Sequence, residues 1–299
     1  MSHPAEIGAD PSASHESRYL AALESERAEW WSSENFDTWK KLYVSEYDRG
    51  RYVVQMLREY VSGFDPAASA VLDIGCGDGG ALIAFAELGA ECAGIETNRK
   101  SIARARIRAE AHRVKVSFQS ASAEALPFSD HSFDLVMLDN VLEHVGDREH
   151  TLLEIRRVLR PGGVLYAVTP KPLALYAMWN DPHYDLAGLV LMPRWLQIWY
   201  FERVRGGGKG SYDVGEIPTR HAARRLLAKA GFELIASPRD LWIRYLRYRI
   251  SHPEEIQAGI KRRIAQRVAK IEWPFRNPIT RWFWDVAIGS NYFIARSIR

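Results

Sequence analysis

The run Val71-Leu72-Asp73-Ile74-Gly75-Cys76-Gly77-Asp78-Gly79-Gly80 constrains this chain more than any other segment. A short apolar stretch closed by glycines reads as a buried strand. Glycines at such a spacing permit a tight turn and a close approach of backbone to ligand, immediately before a helix starts. Strand, turn and helix in that order make one unit of an open α/β sheet, whose ligands gather at the carboxyl ends of its strands.

The residues that follow keep up the alternation. Residues 81–88 read as a helix, 92–96 as a second strand, 98–112 as a helix, and 114–118 and 133–138 as the third and fourth strands. Asp147 suits the N-cap of a helix carrying Leu152, Ile155 and Leu159, which Pro161-Gly162-Gly163 is expected to stop, and 164–168 reads as a fifth strand. Residues 219–230 read as a helix ended by Gly231, 232–236 as a strand and 291–295 as the last strand. The expected fold class is α/β: a Rossmann-like, doubly wound, mostly parallel seven-stranded sheet with a helical N-terminal extension and two inserted segments.

Around that sheet the chain divides by composition. Residues 1–16 are aperiodic and expected to be disordered. Residues 17–65 are expected to form a helical lid, with Tyr43, Tyr47, Val54, Leu57 and Val61 on helical spacing. Residues 66–299 form the sheet domain, with an aromatic insertion at 171–215 and a basic helical insertion at 238–289. The first insertion holds Tyr176, Trp179, Tyr184, Trp195, Trp199, Tyr200 and Phe201 and ends in the glycine-rich 206–210. The second carries Ile256, Ile260, Ile264 and Val268 on an amphipathic stripe.

Composition excludes several classes. With 47% hydrophobic and 26% charged residues in 299, the chain has enough apolar material for a large core. Only Cys76 and Cys92 occur, so no disulfide framework is available. No uncharged apolar run approaches the ~18–20 residues of a membrane span, and the polar N-terminus lacks a signal-peptide core, so a cytoplasmic protein is expected. The formal charge of +3 hides a gradient: residues 220–299 hold 17 Lys and Arg against 6 Asp and Glu, an excess of +11, which leaves −8 for residues 1–219.

Gly75, Gly77 and Gly80 satisfy the G-x-G-x-x-G pattern of dinucleotide sites, so the glycines alone leave an NAD(P)-dependent oxidoreductase open. Asp73, two residues before the first glycine, suits a cationic or amine-bearing ligand and would repel a pyrophosphate. Glu96 closes the second strand where an acidic side chain can hold a ribose diol. Ser122-Ala123-Glu124-Ala125-Leu126-Pro127-Phe128, Phe133-Asp134-Leu135-Val136 and Leu142-Glu143-His144-Val145 then follow in order. In these motifs the chain resembles the class I S-adenosylmethionine-dependent methyltransferases, in particular their type 11 subgroup.

The resemblance implies S-adenosylmethionine as cofactor. It places the methionine end on Asp73 and the backbone of Gly75 and Gly77, with Cys76 and Gly79 in the same loop. The ribose would lie on Glu96, beside Thr97, and the adenine near Ser122, Ala123 and Glu124. Asp139 and Asn140 would floor the sulfonium. The subgroup usually has Asp where Ser122 stands; a hydroxyl also accepts a hydrogen bond, so binding is expected to persist.

Methyl transfer to a hydroxyl requires a base for the departing proton, and His144 and His183 are the candidates. The Leu-Glu-His-Val run is similar to that of ubiquinone-type O-methyltransferases, which place a further Glu three residues before the Glu-His pair and can bind a divalent ion there. Asn140 holds that position here, so no metal site is expected. An N-P-P-Y motif of amino-methylating nucleic-acid enzymes is replaced by Asp139-Asn140-Val141-Leu142, and neither cysteine is placed to attack a pyrimidine. Nucleic acid is therefore a disfavoured partner. The expected function is O-methylation of a small-molecule, glycan or lipid-linked acceptor, with peripheral contact to an anionic membrane through 238–289 open. The non-enzymatic alternative is a cofactor-binding scaffold.

Overall fold

The computed structural model describes residues 11–27, 33–171, 186, 188–205, 217–251 and 290–298. The chain forms two compact units, Met1–Ser122 and Ala123–Arg299.

The first unit contains α1 (Pro11–Ser25), α2 (Ser33–Val44), α3 (Glu46–Tyr60), β1 (Ala70–Ile74), α4 (Gly80–Ala86), β2 (Glu91–Ile95), α5 (Arg99–Ala111) and β3 (Val116–Gln119). Its strands run in the order β3-β2-β1, all parallel, with Asp73 opposite Gly94 and Ile95 opposite Gln119. Every residue of β1 is buried, which is why the strand reads as a continuous apolar run and not as an alternation. Asn98 starts α5 by accepting from the Lys100 N–H at 2.9 Å. Helix α3 lies close on α4 because Gly50 faces it: a Cβ there would stand 2.6 Å from the Ala81 carbonyl oxygen.

The second unit contains β4 (Phe133–Asp139), α6 (Arg148–Val158), β5 (Leu159–Pro170), α7 (Arg194–Arg205), α8 (Arg220–Lys229), β6 (Phe232–Leu234), α9 (Pro238–Ser251) and β7 (Ser290–Ser297). Its strands run β4-β5-β7-β6, with β4 parallel to β5 and β7 antiparallel to both of its neighbours. With the first unit's three strands this makes the seven expected, mostly parallel.

Three expectations change. Helix α1 begins at Pro11, inside the stretch expected to be disordered. Helix α6 ends at Val158, before Pro161, and Leu159 already belongs to β5. The residue before a proline is held out of the helical region, so the helix closes before Arg160. Pro161-Gly162-Gly163 thus lies within β5, where the pairing with β4 shifts register. Of the basic insertion, 238–251 is helical; residues 252–289 with their isoleucine stripe, and 172–185 with His183, lie outside the described residues, as does the glycine-rich 206–210.

A buried polar network fixes the glycine turn of the first unit. Asp78 has no exposed surface. The Arg104 side chain donates to it twice, from Nε at 2.8 Å and Nη2 at 2.9 Å, and the Tyr19 hydroxyl donates at 2.9 Å. Arg104 also donates from Nη1 to Glu26 at 2.6 Å. Arg108, fully buried beneath the Tyr19 ring, donates to the Tyr43 and Val44 carbonyl oxygens at the end of α2. Burial, with Asp78 adding to it, holds the Tyr19 hydroxyl far above its usual range, so it remains a donor. One buried network therefore links the N-terminal helices, the glycine turn and α5. Replacing Arg104 with Met leaves a buried carboxylate without its bidentate partner, and should lower stability by about 3–5 kcal/mol in denaturant unfolding; a loss below about 1 kcal/mol would show the network to be dispensable.

Candidate active site

In the first unit the glycine turn is held open by its own geometry. Gly75, Gly77 and Gly79 adopt φ of 69°, 52° and 75°, which side chains with a Cβ rarely adopt. The N–H groups of Gly75 and Cys76 both donate to the Ile95 carbonyl oxygen, at 2.8 and 3.0 Å, anchoring the turn to the end of β2. Glu96 adds a second tie. Its Oε2 accepts from the Gly77 N–H at 3.2 Å, while Oε1 accepts from the Asn98 N–H at 2.9 Å and the Thr97 hydroxyl at 3.2 Å. Asp73, at the carboxyl end of β1, is buried.

The Cys76 side chain turns toward the sheet, where a Cβ on Gly94 would stand 2.8 Å from its Sγ. Burial pushes its thiol well up and the Cys92 thiol up to about 12. Neither is a thiolate near neutral pH, and neither is suited to nucleophilic attack.

One acidic residue at the turn was not among those expected. Glu46, at the start of α3, places its Oε1 2.9 Å from where a Cβ on Gly77 would stand, and its Oε2 accepts from the Gly80 N–H at 3.4 Å. Burial pushes this carboxyl up to about 7; the cations of Arg49 and Arg108 pull it down and the charge of Asp78 adds to the rise. The sequence carries a signal for it. Glu46 shares the buried face of α3 with Gly50, Val53, Val54 and Leu57, at positions i, i+4, i+7, i+8 and i+11, and an acid on an apolar stripe requires a partner.

In the second unit β4 ends at Asp139, and Asn140 takes the left-handed conformation at φ 56°. The Asn140 N–H donates to the Val168 carbonyl oxygen at 3.0 Å, and its side-chain amide donates to Asp139 Oδ1 at 2.7 Å. Non-glycine residues in that conformation concentrate at functional sites, here at a strand's carboxyl end. Glu124 has a local duty: Oε1 accepts from the N–H groups of Gly146 and Asp147 at 2.7 and 2.8 Å and fixes the approach to α6. Asp147 is the N-cap expected, accepting from the His150 N–H at 2.9 Å. His144 is exposed in the turn after β4, its N–H donating to the Val141 carbonyl oxygen at 2.8 Å, and Glu143 beside it is fully buried. Ala123 is buried and Ser122, which ends the first unit, is exposed. Among the described residues no group of three or more His, Cys, Asp or Glu side chains could hold a metal ion, and no helix is long and apolar enough to cross a membrane.

Comparison with known proteins agrees with these features. A family model described as a methyltransferase domain matches residues 72–167. The ubiquinone biosynthesis O-methyltransferase of Ruegeria pomeroyi is 30% identical over 226 residues, covering 72% of this chain and 81% of that protein. That of Cereibacter sphaeroides is 29% identical with the same coverage. In fold, the chain is similar to an S-adenosylmethionine-dependent methyltransferase from Mesorhizobium loti, with a TM-score of 0.51 at 19% identity over 81% of this chain and 96% of that one. The Rossmann-like sheet, the glycine turn with its acidic strand ends, and a relative matched over most of its length lead to one conclusion: this chain belongs to the class I S-adenosylmethionine-dependent methyltransferases.

Proposed function

We propose that this methyltransferase acts on the hydroxyl oxygen of a small, apolar or lipid-linked molecule. The observation that carries the reading is the similarity to O-methyltransferases named for ubiquinone biosynthesis over about three quarters of the chain. The chain departs from the ubiquinone-type pattern at Asn140, so the acceptor need not be the same compound and no metal is part of the proposal.

The residues at the glycine turn fit the cofactor chemically. Three carboxylates, Asp73, Glu96 and Glu46, belong to the strand ends and the helix start beside Gly75 and Gly77. That donor set repels a pyrophosphate and suits a ligand that carries an ammonium and a sulfonium. When bound, S-adenosylmethionine supplies a methyl group already activated for displacement. Asp73 and the backbone of Gly75 and Gly77, with Cys76 and Gly79 shaping the turn, are proposed to hold its methionine end. Glu96 and Thr97 would take the ribose hydroxyls. Following the family pattern, Ser122, Ala123 and Glu124 are assigned to the adenine, and Asp139 and Asn140 to the floor of the site.

The protein then has two tasks: to align the acceptor oxygen and exclude water, and to remove the acceptor's proton. His144, exposed after β4, and His183 are the proposed bases. The aromatic insertion supplies apolar surface for the acceptor; Trp195 and Trp199 on α7 are 70% and 55% exposed. The helical residues up to 65 are proposed to act as a lid and residues 66–299 as the methyltransferase domain, with helix already present from Pro11. The basic 238–289 is proposed to meet anionic lipid.

Calorimetry with S-adenosylmethionine checks the cofactor assignment. Asp73→Ala and Glu96→Ala each remove a charge-assisted contact and should weaken binding about 10- to 100-fold, while unchanged affinity in both would contradict it. Labelled methyl donor and fractionated extract check the acceptor: label is expected in an ether of an organic-soluble hydroxyl compound, and label confined to amines or polymer would overturn the reading. In the same assay, loss of the general base through His144→Ala or His183→Ala should cut turnover about 100-fold with cofactor affinity unchanged; full activity in both would remove the two histidines. Sedimentation with anionic vesicles at low salt should carry the protein down, and its staying in solution would exclude the lipid contact.

A further inference from the structure

The side of the glycine turn opposite Cys76 is occupied by a residue of the N-terminal helices. Cys76 points toward β2, whereas Gly77 presents its Cα to Oε1 of Glu46, which lies 2.9 Å from the place a Cβ would take. A ligand seated on the backbone of Gly75 and Gly77 therefore meets that oxygen. The other oxygen, Oε2, is directed inward, to the Gly80 N–H at 3.4 Å and the Arg108 guanidinium at 3.8 Å. The Arg49 guanidinium is 3.8 Å from Oε1. Neither ion pair is close, so the carboxylate keeps the capacity to accept a further cationic donor.

We propose that Glu46 binds the methionine ammonium of the cofactor through Oε1, so that the N-terminal helices contribute a cofactor-binding residue of their own. The inference rests on the assignment of the methionine end to Gly75 and Gly77. It explains why the lid is fastened to this turn: the Tyr19 to Asp78 hydrogen bond and the Arg108 contacts hold α1 and α2 against the same loop and set where α3 begins.

The electrostatics give the binding a pH signature. Among the described residues, the charged or titratable groups around Glu46 are Arg49 from its own helix, Tyr19 from α1, Tyr43 from α2, Asp78 and Cys76 from the turn, Glu96 on the Gly77 N–H, and Arg108 from α5. In the absence of the ammonium, burial holds the Glu46 carboxyl up at about 7. A bound cation favours the ionised form, so the group loses its proton on binding. Affinity should then rise as pH rises through the range in which the free carboxyl titrates, and binding near neutral pH should release protons.

Calorimetry on the full chain tests this with S-adenosylmethionine, S-adenosylhomocysteine and 5′-methylthioadenosine, which lacks the amino-acid head. Glu46→Gln keeps an acceptor for the Gly80 N–H, and a thermal melt confirms its fold. The variant should bind the first two ligands about tenfold more weakly or worse and 5′-methylthioadenosine as the wild type does. In wild-type protein, titration in two buffers of different ionisation enthalpy should show proton release, which the variant abolishes. Unchanged or tighter binding by the variant, an equal loss for 5′-methylthioadenosine, or no proton release by the wild type would overturn the role of Glu46. Failure of the underlying assignment is distinct: Asp73→Ala would then bind S-adenosylmethionine as the wild type does.

Discussion

Asp78 sits within the glycine turn with no exposed surface, and an ionised carboxylate in that setting is tolerable only with a close, well-oriented cation and further donors. Arg104 and Tyr19 provide them, and through them the turn depends on elements far away in sequence. Tyr19 belongs to α1, Arg104 to α5, and Glu26, which Arg104 also holds, follows α1. Removing any of these would leave charge buried beside the backbone that the cofactor is expected to touch. The N-terminal helices are thus part of the turn's structure.

The same arrangement concentrates acid near one short loop. Asp73, Glu46 and Glu96 are close to the glycines, while Asp78 is compensated by Arg104. This separates the site from a dinucleotide fold that shares its glycine spacing: there the backbone N–H groups await a phosphate, whereas here the Gly77 and Gly80 N–H groups are already given to side-chain carboxylates. Asp73, Glu46 and Glu96 give the acidic balance of residues 1–219 a local concentration at the glycine turn.

Much of the sheet was legible because its strands are buried runs between glycines and caps. Asn98, Asp147 and Thr219 each start a helix through the side-chain hydrogen bond their type suggests. What failed to read was tertiary. The polar residues from Pro11 carry no helical stripe, and the helix is secured by Tyr19, Leu23 and their buried partners. Glu46, Tyr19 and Asp78 looked unrelated in sequence because Asp78 lies 26 residues from Arg104 and 59 from Tyr19, and Glu46 lies 34 from its partner Gly80. Glu124 was assigned from a family pattern, and the structure adds a duty, the bracing of Gly146 and Asp147, that a motif alone does not reveal.

A crystal structure of the chain with S-adenosylhomocysteine tests the account most directly. It should show the ribose hydroxyls on Glu96 and the homocysteine ammonium on Asp73 and Glu46, with the Tyr19 to Asp78 hydrogen bond intact. A ligand bound away from the Gly75–Gly77 backbone, or bound there only after α1 and α3 have swung off the turn, would contradict it.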